Sequence, residues 1–348
     1  MSEIRKDYFT KKLVIIPNVK DSGNNNSKFD NKKTTCPLCP GNEHMLNPAD
    51  LIIVQKDQAL IKITDEEVTN RTKNWNVKIV SEKNPIVSNK PNKVFSNEPL
   101  YNEPGNGEHY RVIVTPEHNE TLGNIDVGQL VNSLSIIQDK IRGLYSQKHI
   151  SYVILSVNYG SRSGAFTSHL YFDIIAIPKI PPVIEEEAKT FQKEFSEMGV
   201  CPMCKIVNLE QEDNKRKVLS TDNYIAFCPW ASSYPYEFWI FPIKHETSFL
   251  KLTQKELQDL ATIIRSTIGG LEKISKDCSY NLIFHMSSEK KSTKQIHWHI
   301  EVYPRMQHED SLGNRTDIYV NNILPEEAAK ILSKHSTEVW AKQVGIDI

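Results

Sequence analysis

No run of roughly 18 apolar residues, the length a helix needs to cross a bilayer, occurs in this chain. The segment Met1 to Lys12 is charged and lacks the apolar core of a secretory signal. A soluble cytoplasmic protein with no membrane partner is expected. Charge of one sign is also missing, since 42 Lys+Arg stand against 43 Asp+Glu. No overall field draws in nucleic acid, so an anionic ligand must be held locally. Six cysteines in 348 residues are too few for a disulfide scaffold. Four of them fall in two Cys-x-x-Cys pairs, which in a reducing compartment points to metal. Cys228 and Cys278 are left over and read as packing residues.

A chain of this length exceeds one ordinary core, so two fused units of roughly 150 residues each are expected. Lys20 to Lys33, with its Asn-Asn-Asn, and the Pro- and Asn-rich Lys90 to Gly107 read as loops. Short β-branched runs read as strands: Leu13 to Ile16, Leu51 to Val54, Tyr110 to Val114, Tyr152 to Val157, Tyr171 to Ile177 and Ile318 to Val320. Apolar residues at three to four residue spacing predict helices over Val127 to Gln147 and Thr253 to Ile274. Pro181 and Pro182 followed by Glu185, Glu186 and Glu187 predict a helix over Val183 to Met198, and Pro325-Glu-Glu predicts a last one over Leu324 to Lys334.

Cys36-Pro-Leu-Cys39 and Cys201-Pro-Met-Cys204 each offer two thiolates for adjacent corners of a zinc tetrahedron. Each pair is followed by a histidine that ends a strand-like run, His118 or His245, then by an amphipathic helix, a strand and a further histidine, His169 or His297. The two histidines are 51 residues apart in the first half and 52 in the second. Such a repeat implies duplication, with one zinc held by Cys36, Cys39, His118 and His169 and the other by Cys201, Cys204, His245 and His297. Four protein ligands close the coordination sphere, so both zincs are expected to be structural. A thioredoxin-like redox motif would sit at one helix N-terminus and would not recur with paired histidines.

With these residues placed, the sequence resembles the galactose-1-phosphate uridylyltransferase family of the histidine triad superfamily, including its nucleotide-sugar phosphorylase relatives. The likeness is carried by Arg5-Lys-Asp-Tyr-x-Thr with Val14-Ile-Ile-Pro17, by Cys36-Pro-Leu-Cys-Pro-Gly-Asn42, and by Gly107-x-His-x-x-Val-Ile-Val-Thr-Pro-Glu-His118. It continues in Pro229-Trp-Ala-Ser-Ser-Tyr-Pro-Tyr-Glu-Phe-Trp-Ile-Phe-Pro-Ile-Lys-His245 and in Ile318-Tyr-Val-Asn with Pro325-Glu-Glu-Ala-Ala. The resemblance implies an α+β fold of two tandem histidine-triad-like halves, residues 1–182 and 183–348, each an antiparallel sheet packed with helices. It also implies a homodimer and a two-step transfer. A histidine in a His-x-His-x-Gln strand attacks the α-phosphorus of a nucleotide sugar, and a sugar phosphate or phosphate then takes the nucleotide. A Gly-rich loop ahead of that strand would hold the diphosphate on backbone amides.

The aligned first-half segment runs from Asn158 through Gly160, Arg162, Gly164 and Phe166 to His169, Tyr171 and Asp173. Phe166 stands where the family places a phosphate-binding Ser, Tyr171 replaces the attacking His, and Asp173 replaces the Gln. A phenol of pKa about 10 is a poor nucleophile at neutral pH, and an ionised Asp would repel a diphosphate, so this site reads as dead for the usual transfer. Asn158, Gly160, Arg162 and Gly164 remain as candidate ligand-binding residues.

The second half carries His297-Trp-His299-Ile-Glu301, whose alternation puts His297, His299 and Glu301 on one face of a strand. His299 is the candidate nucleophile, Glu301 the group that would orient it, and Ser287, Lys294 and Gln295 in the preceding Lys-rich loop the candidate phosphate contacts. A rival metal reading, by resemblance to members that bind iron, would use Glu186 or Glu187 with His285, His297 and His299; the second Cys-x-x-Cys favours zinc instead. The activity expected is nucleotidyl transfer or phosphorolysis on a nucleotide sugar or dinucleoside polyphosphate. The alternative is a nucleotide-binding or regulatory homologue without chemistry.

Overall fold

The computed structural model describes residues 2–7, 11–17, 36–57, 59–65, 71–89, 100–275, 277–290, 295–306 and 313–346. The stretch 20–33, expected as a loop, and residues 90–99 of the second expected loop lie outside them. A small sheet is made by β1 (Glu3–Lys6), β2 (Leu13–Ile16) and β6 (Asn102–Pro104), in the order β2-β1-β6. The main sheet takes β3 (Ala49–Lys56), β4 (Ala59–Ile63), β5 (Val77–Ser81), β7 (Glu108–Ile113), β8 (Tyr152–Tyr159) and β9 (Tyr171–Ile177) from the first half. From the second it takes β10 (Lys217–Ser220), β11 (Tyr224–Phe227), β12 (Phe238–Pro242), β13 (Tyr280–His285) and β14 (His299–Pro304).

The strand order β10-β11-β12-β14-β13-β8-β9-β7-β5-β3-β4 is a duplication made visible. Read outward from the centre, β13-β14-β12-β11 mirrors β8-β9-β7-β5. The halves therefore meet at β13 and β8, which pair antiparallel from Tyr280↔Tyr159 to Phe284↔Leu155. Two expected sheets are thus one continuous sheet of eleven strands, because each half leaves an edge that only the other half covers.

Helices α1 (Val127–Tyr145) and α4 (Gln254–Ile274) cover one face of this sheet. Asp126 caps α1 by accepting the Gln129 N–H, and Thr253 with Glu256 forms a capping box on α4, so each helix starts where a side chain satisfies its free amides. Their apolar stripes, Leu130, Leu134, Ile137 and Ile141 on α1 and Leu257, Leu260, Ile264 and Ile268 on α4, share a core with Phe172 and Ile174 of β9 and Ile300 and Val302 of β14. Residues of β9 and β14 that alternate with these project from the opposite face. That second face carries the candidate chemistry, with α2 (Pro182–Met198) packed at the seam on Tyr152, Ile177 and Ile296 and α3 (Pro202–Asp213) on Ile225 and Phe227 of β11.

Two expectations at the C-terminus change. Ile318 to Val320 forms no strand and leaves Ile318 63% and Val320 56% exposed. After a short α5 (Gly313–Thr316), the last helix, α6 (Pro325–Val344), runs past Lys334. The cause is packing: a Cβ on Gly270 of α4 would come within 2.8 Å of the Ser336 backbone nitrogen, so the missing side chain lets α6 lie directly on α4 and bury Ala328, Ala329 and Leu332 as well. The expected helix over Val183 to Met198 and the strands Leu13 to Ile16 and Tyr171 to Ile177 fall where the sequence places them.

A buried carboxyl lies beside this helix layer. Glu272 of α4 accepts the Thr121 hydroxyl at 2.9 Å, and burial pushes its pKa up to about 7, against the lowering effect of Thr121 and the Gly123 amide. An acid with a raised folded pKa contributes full stability below its unfolded value of 4.5 and loses it as pH climbs towards 7. The loss is about 3 kcal/mol by linkage. Glu272→Gln is therefore expected to match the parent in thermal midpoint at pH 5 and to exceed it by several degrees at pH 8 in calorimetry. Equal midpoints at both values would show that Glu272 has no such role.

Candidate metal centres and the two strand sites

Four residues from four separate segments converge in the first half. Cys36 and Cys39 close a turn ahead of β3, His118 follows β7 and His169 precedes β9, and all four are buried. The Cys39 Sγ lies 3.2 Å from His118 Nδ1 and 3.4 Å from His169 Nδ1. Zinc bonds of about 2.3 Å to sulfur and 2.0–2.1 Å to nitrogen at a tetrahedral angle would set that edge at roughly 3.5 Å. The bonds on the far side of each ring agree with ligation: His169 Nε2 donates to the Thr115 carbonyl at 2.8 Å and His118 Nε2 meets the Ser168 hydroxyl at 2.9 Å. Each leaves the Nδ1 lone pair aimed at the sulfur.

The second half repeats this. Cys204 Sγ lies 3.4 Å from His245 Nδ1 and 3.5 Å from His297 Nδ1. Burial, with His245 and His299 beside it, lowers the His297 pKa to about 3. Burial pushes the Cys204 thiol up to about 12, so only a nearby cation keeps it a thiolate. A neutral imidazole and a desolvated thiol facing one another fit a metal ion. The second pair begins a helix that the sequence reading did not include: Cys201 caps α3 and its Sγ accepts the Cys204 N–H at 3.4 Å. The Cys-Pro-x-Cys spacing alone hid α3. Its proline occupies the first helical position.

A third cluster brings Glu187, His285, His299 and Glu301 together, with one ligand-type atom from each within 4.8 Å of the others. His285 Nδ1 meets Glu187 at 2.8 Å and its Nε2 meets Glu301 at 3.2 Å. His299 Nε2 lies 3.3 Å from Glu301 and its Nδ1 lies 3.1 Å from the His297 carbonyl. Phe241 stacks on the His299 ring at 4.4 Å, and His299 is 2% exposed. Burial works to raise the Glu301 carboxyl, but His285, His299 and the Tyr303 hydroxyl outweigh it and hold it at about 2. The rival metal set is corrected here. His297 lies in the cysteine cluster, Glu301 stands in its place, and Glu186 turns outward to pair with Lys11.

The other sequence candidates are used differently from one another. Gly160 and Gly164 take left-handed backbone, φ +84 and +86, and a Cβ on Gly160 would strike Ser279. Arg162 donates to the Met306 and Asp277 carbonyls and pairs with the Asp277 carboxylate at 2.8 Å, and Asn158 accepts from Asn281 at 2.6 Å. The loop thus binds the second half. Ser287 is tied to Ile296, accepting its N–H at 2.9 Å, and lines a polar cavity of about 220 Å³ with Gln295, Lys251 and Lys290. Lys294 lies outside the described residues.

The rewritten first-half position is filled. Tyr171 is 3% exposed and packs on Phe166 and the core around Cys36 and Cys39 with Trp75 and Ile113. Burial, with Asp173 beside it, raises its phenol further above the ordinary range. Arg111 lies over the Phe166 ring at 4.0 Å, pairs with Glu82 and approaches Asp173 at 3.6 Å, while His109 meets Asp173 at 3.2 Å. Asp173 therefore arrives with its own counterions. His109, Arg111 and Glu82 escape a reading of the sequence, although the alternation of His109 and Arg111 along β7 marks one polar side of a strand.

No family model matches the chain. The galactose-1-phosphate uridylyltransferase of Thermotoga maritima is 24% identical over 348 residues, covering 97% of this chain and 100% of that protein. The ADP-glucose phosphorylase of Arabidopsis thaliana is 24% identical, covering 96% of this chain and 93% of its own. The likeness to the galactose-1-phosphate uridylyltransferase family spans nearly the whole chain. Among solved structures, a uridylyltransferase superposes with TM-score 0.79 at 22% identity over 97% of this chain and 99% of its own. The Arabidopsis thaliana ADP-glucose phosphorylase with bound ADP-glucose gives TM-score 0.71 at 23% identity over 96% of this chain and 99% of its own. An α+β fold of the uridylyltransferase kind is thereby shown, and the Cys/His groups are placed to hold metal. Among the described residues no helix is long and apolar enough to cross a membrane.

Proposed function

We propose that this protein is a nucleotidyltransferase or phosphorylase of the nucleotide-sugar type, a cytoplasmic homodimer with two structural zinc ions per chain. Its donor is a nucleotide sugar or a dinucleoside polyphosphate, and its acceptor is a sugar phosphate or phosphate. The full-length relatives, a uridylyltransferase and an ADP-glucose phosphorylase, support this class of ligand. The observation that carries the reading is the pair of equivalent strand positions: two residues after the cysteine-cluster histidine, the first half has buried Tyr171 and the second has His299. The His299 Nδ1 meets the His297 carbonyl at 3.1 Å, and Nε2 offers its lone pair to a substrate once it leaves its contact with the Glu301 carboxylate. That nitrogen bonds to the α-phosphorus, the sugar phosphate leaves, and an acceptor phosphate oxygen then takes the nucleotidyl group and frees the imidazole.

A second reading is favoured by one distance. The same Nε2 faces Glu301 at 3.3 Å, and a carboxylate there competes with a phosphate. On that reading Glu187, His285, His299 and Glu301 hold a divalent cation such as iron, and the protein binds nucleotide without transferring it. Incubation with radiolabelled UDP-glucose, ADP-glucose and diadenosine tetraphosphate, quenched in base, decides between them. Acid-labile label on the protein is expected with at least one donor; measurable nucleotide binding with no label from any of the three establishes the second reading.

A further inference from the structure

A nucleophilic His299 needs a path to its substrate, and the element that blocks it is specific. Helix α2 lies across the face that carries His285, His297 and His299. Its inward positions are Ile184, Glu187, Ala188 and Phe191, one stripe at three to four residue spacing. Ile184 packs with Ile296, Glu187 meets His285 at 2.8 Å, and Phe191 stacks on His245 at 6.1 Å. We propose that α2 is a strap that lifts to admit the ligand to His299, with the Glu187–His285 bond as its latch.

Three observations make α2 the movable element. Three of its seventeen residues are buried, Ile184, Ala188 and Phe191, whereas eleven of the twenty-one in α4 are. Elements held by few apolar contacts open locally before the core does. The ends are built to bend: Pro181 and Pro182 start the helix without a side-chain cap, and Gly199 ends it in left-handed backbone at φ 70. The polar tether on its outer side, Lys11 to Glu186, lies between exposed side chains and holds little. The latch is the one carboxylate on an otherwise apolar inner stripe, and it points at an imidazole one bond removed, through Glu301, from His299. The alternative covers, Trp239 and Phe241, belong to a central strand and cannot lift without breaking the sheet.

The strap rests on His299 being the residue reached, but its test reads access, not transfer. Diethyl pyrocarbonate acylates free imidazoles, and peptide mass spectrometry can follow His299 against exposed His149 in the same molecule. Glu187→Ala is expected to raise the His299 rate at least about tenfold with His149 unchanged, while Lys189→Ala leaves both as they were. Amide exchange on the parent protein should show α2 opening at least about tenfold more readily than α4, and that measurement decides should Glu187→Ala not fold. An unchanged His299 rate in Glu187→Ala, or α2 amides as protected as those of α4, overturns the strap. Absence of nucleotide label, with these results as expected, would instead remove the transfer reading and leave the strap standing.

Discussion

Cys39→Ser is expected to strip one zinc from each chain and to lower the thermal midpoint by roughly 10 °C or more. Cys39 is the sulfur that both histidines of the first cluster approach, and the cluster sits inside a small core of Leu38, Ala49, Ile52 and Trp75 that has little else to organise it. Structural zinc in small peptides is worth about 10–16 kcal/mol in apparent binding. Even a third of that, at about 2–4 °C per kcal/mol for a domain of this size, gives the predicted shift. Cys204→Ser should also lose one zinc but cost less, because His245 is exposed and Cys204 half-buried, so the second cluster is less enclosed than the first. Elemental analysis beside calorimetry checks both. A parent protein that carries no zinc, or a Cys39→Ser midpoint within a degree or two of the parent, rules out structural zinc.

The sequence makes the metal clusters legible because ligand chemistry leaves a pattern in spacing. Cysteine pairs and histidines at 51 and 52 residue intervals survive as a repeat even where the strands between them share few residues. Strands β8 and β9 are equally plain, since central strands covered on both faces are nearly continuous apolar runs rich in β-branched residues. What spacing does not report is which half an exposed-looking residue faces. Arg162 reads as a phosphate grip on a loop, yet its donors are spent on Asp277 and Met306 because the two halves share one sheet, and a loop at the seam meets the other half first. Arg111 is hidden for a different reason. It is one of three charged or polar residues on β7, with Glu108 and His109, and only the fold shows that Phe166, Tyr171, Glu82 and Asp173 surround it. These changes belong together. A guanidinium buried there without the two carboxylates would be costly, and Asp173 without the guanidinium equally so.

That filled site makes the sharpest test of where chemistry occurs. Tyr171→Phe removes only a phenol that burial keeps protonated, so nucleotide labelling should stay within about twofold of the parent. His299→Ala removes the single imidazole at the equivalent position, and labelling should fall roughly a thousandfold or more, as it does when a covalent nucleophile is deleted. His299 sits between Phe241 and His285, so the variant must be shown to retain its zinc and its midpoint before the loss is read as chemical. Glu301→Gln sharpens the assignment: it keeps a partner for His299 but removes the charge that faces an incoming phosphate, so label should rise if the carboxylate opposes attack and fall if it orients the ring. The reverse pattern, label lost in Tyr171→Phe and kept in His299→Ala, would move the reaction to the first half. It would require Arg111 to swing away from Phe166 to open a path.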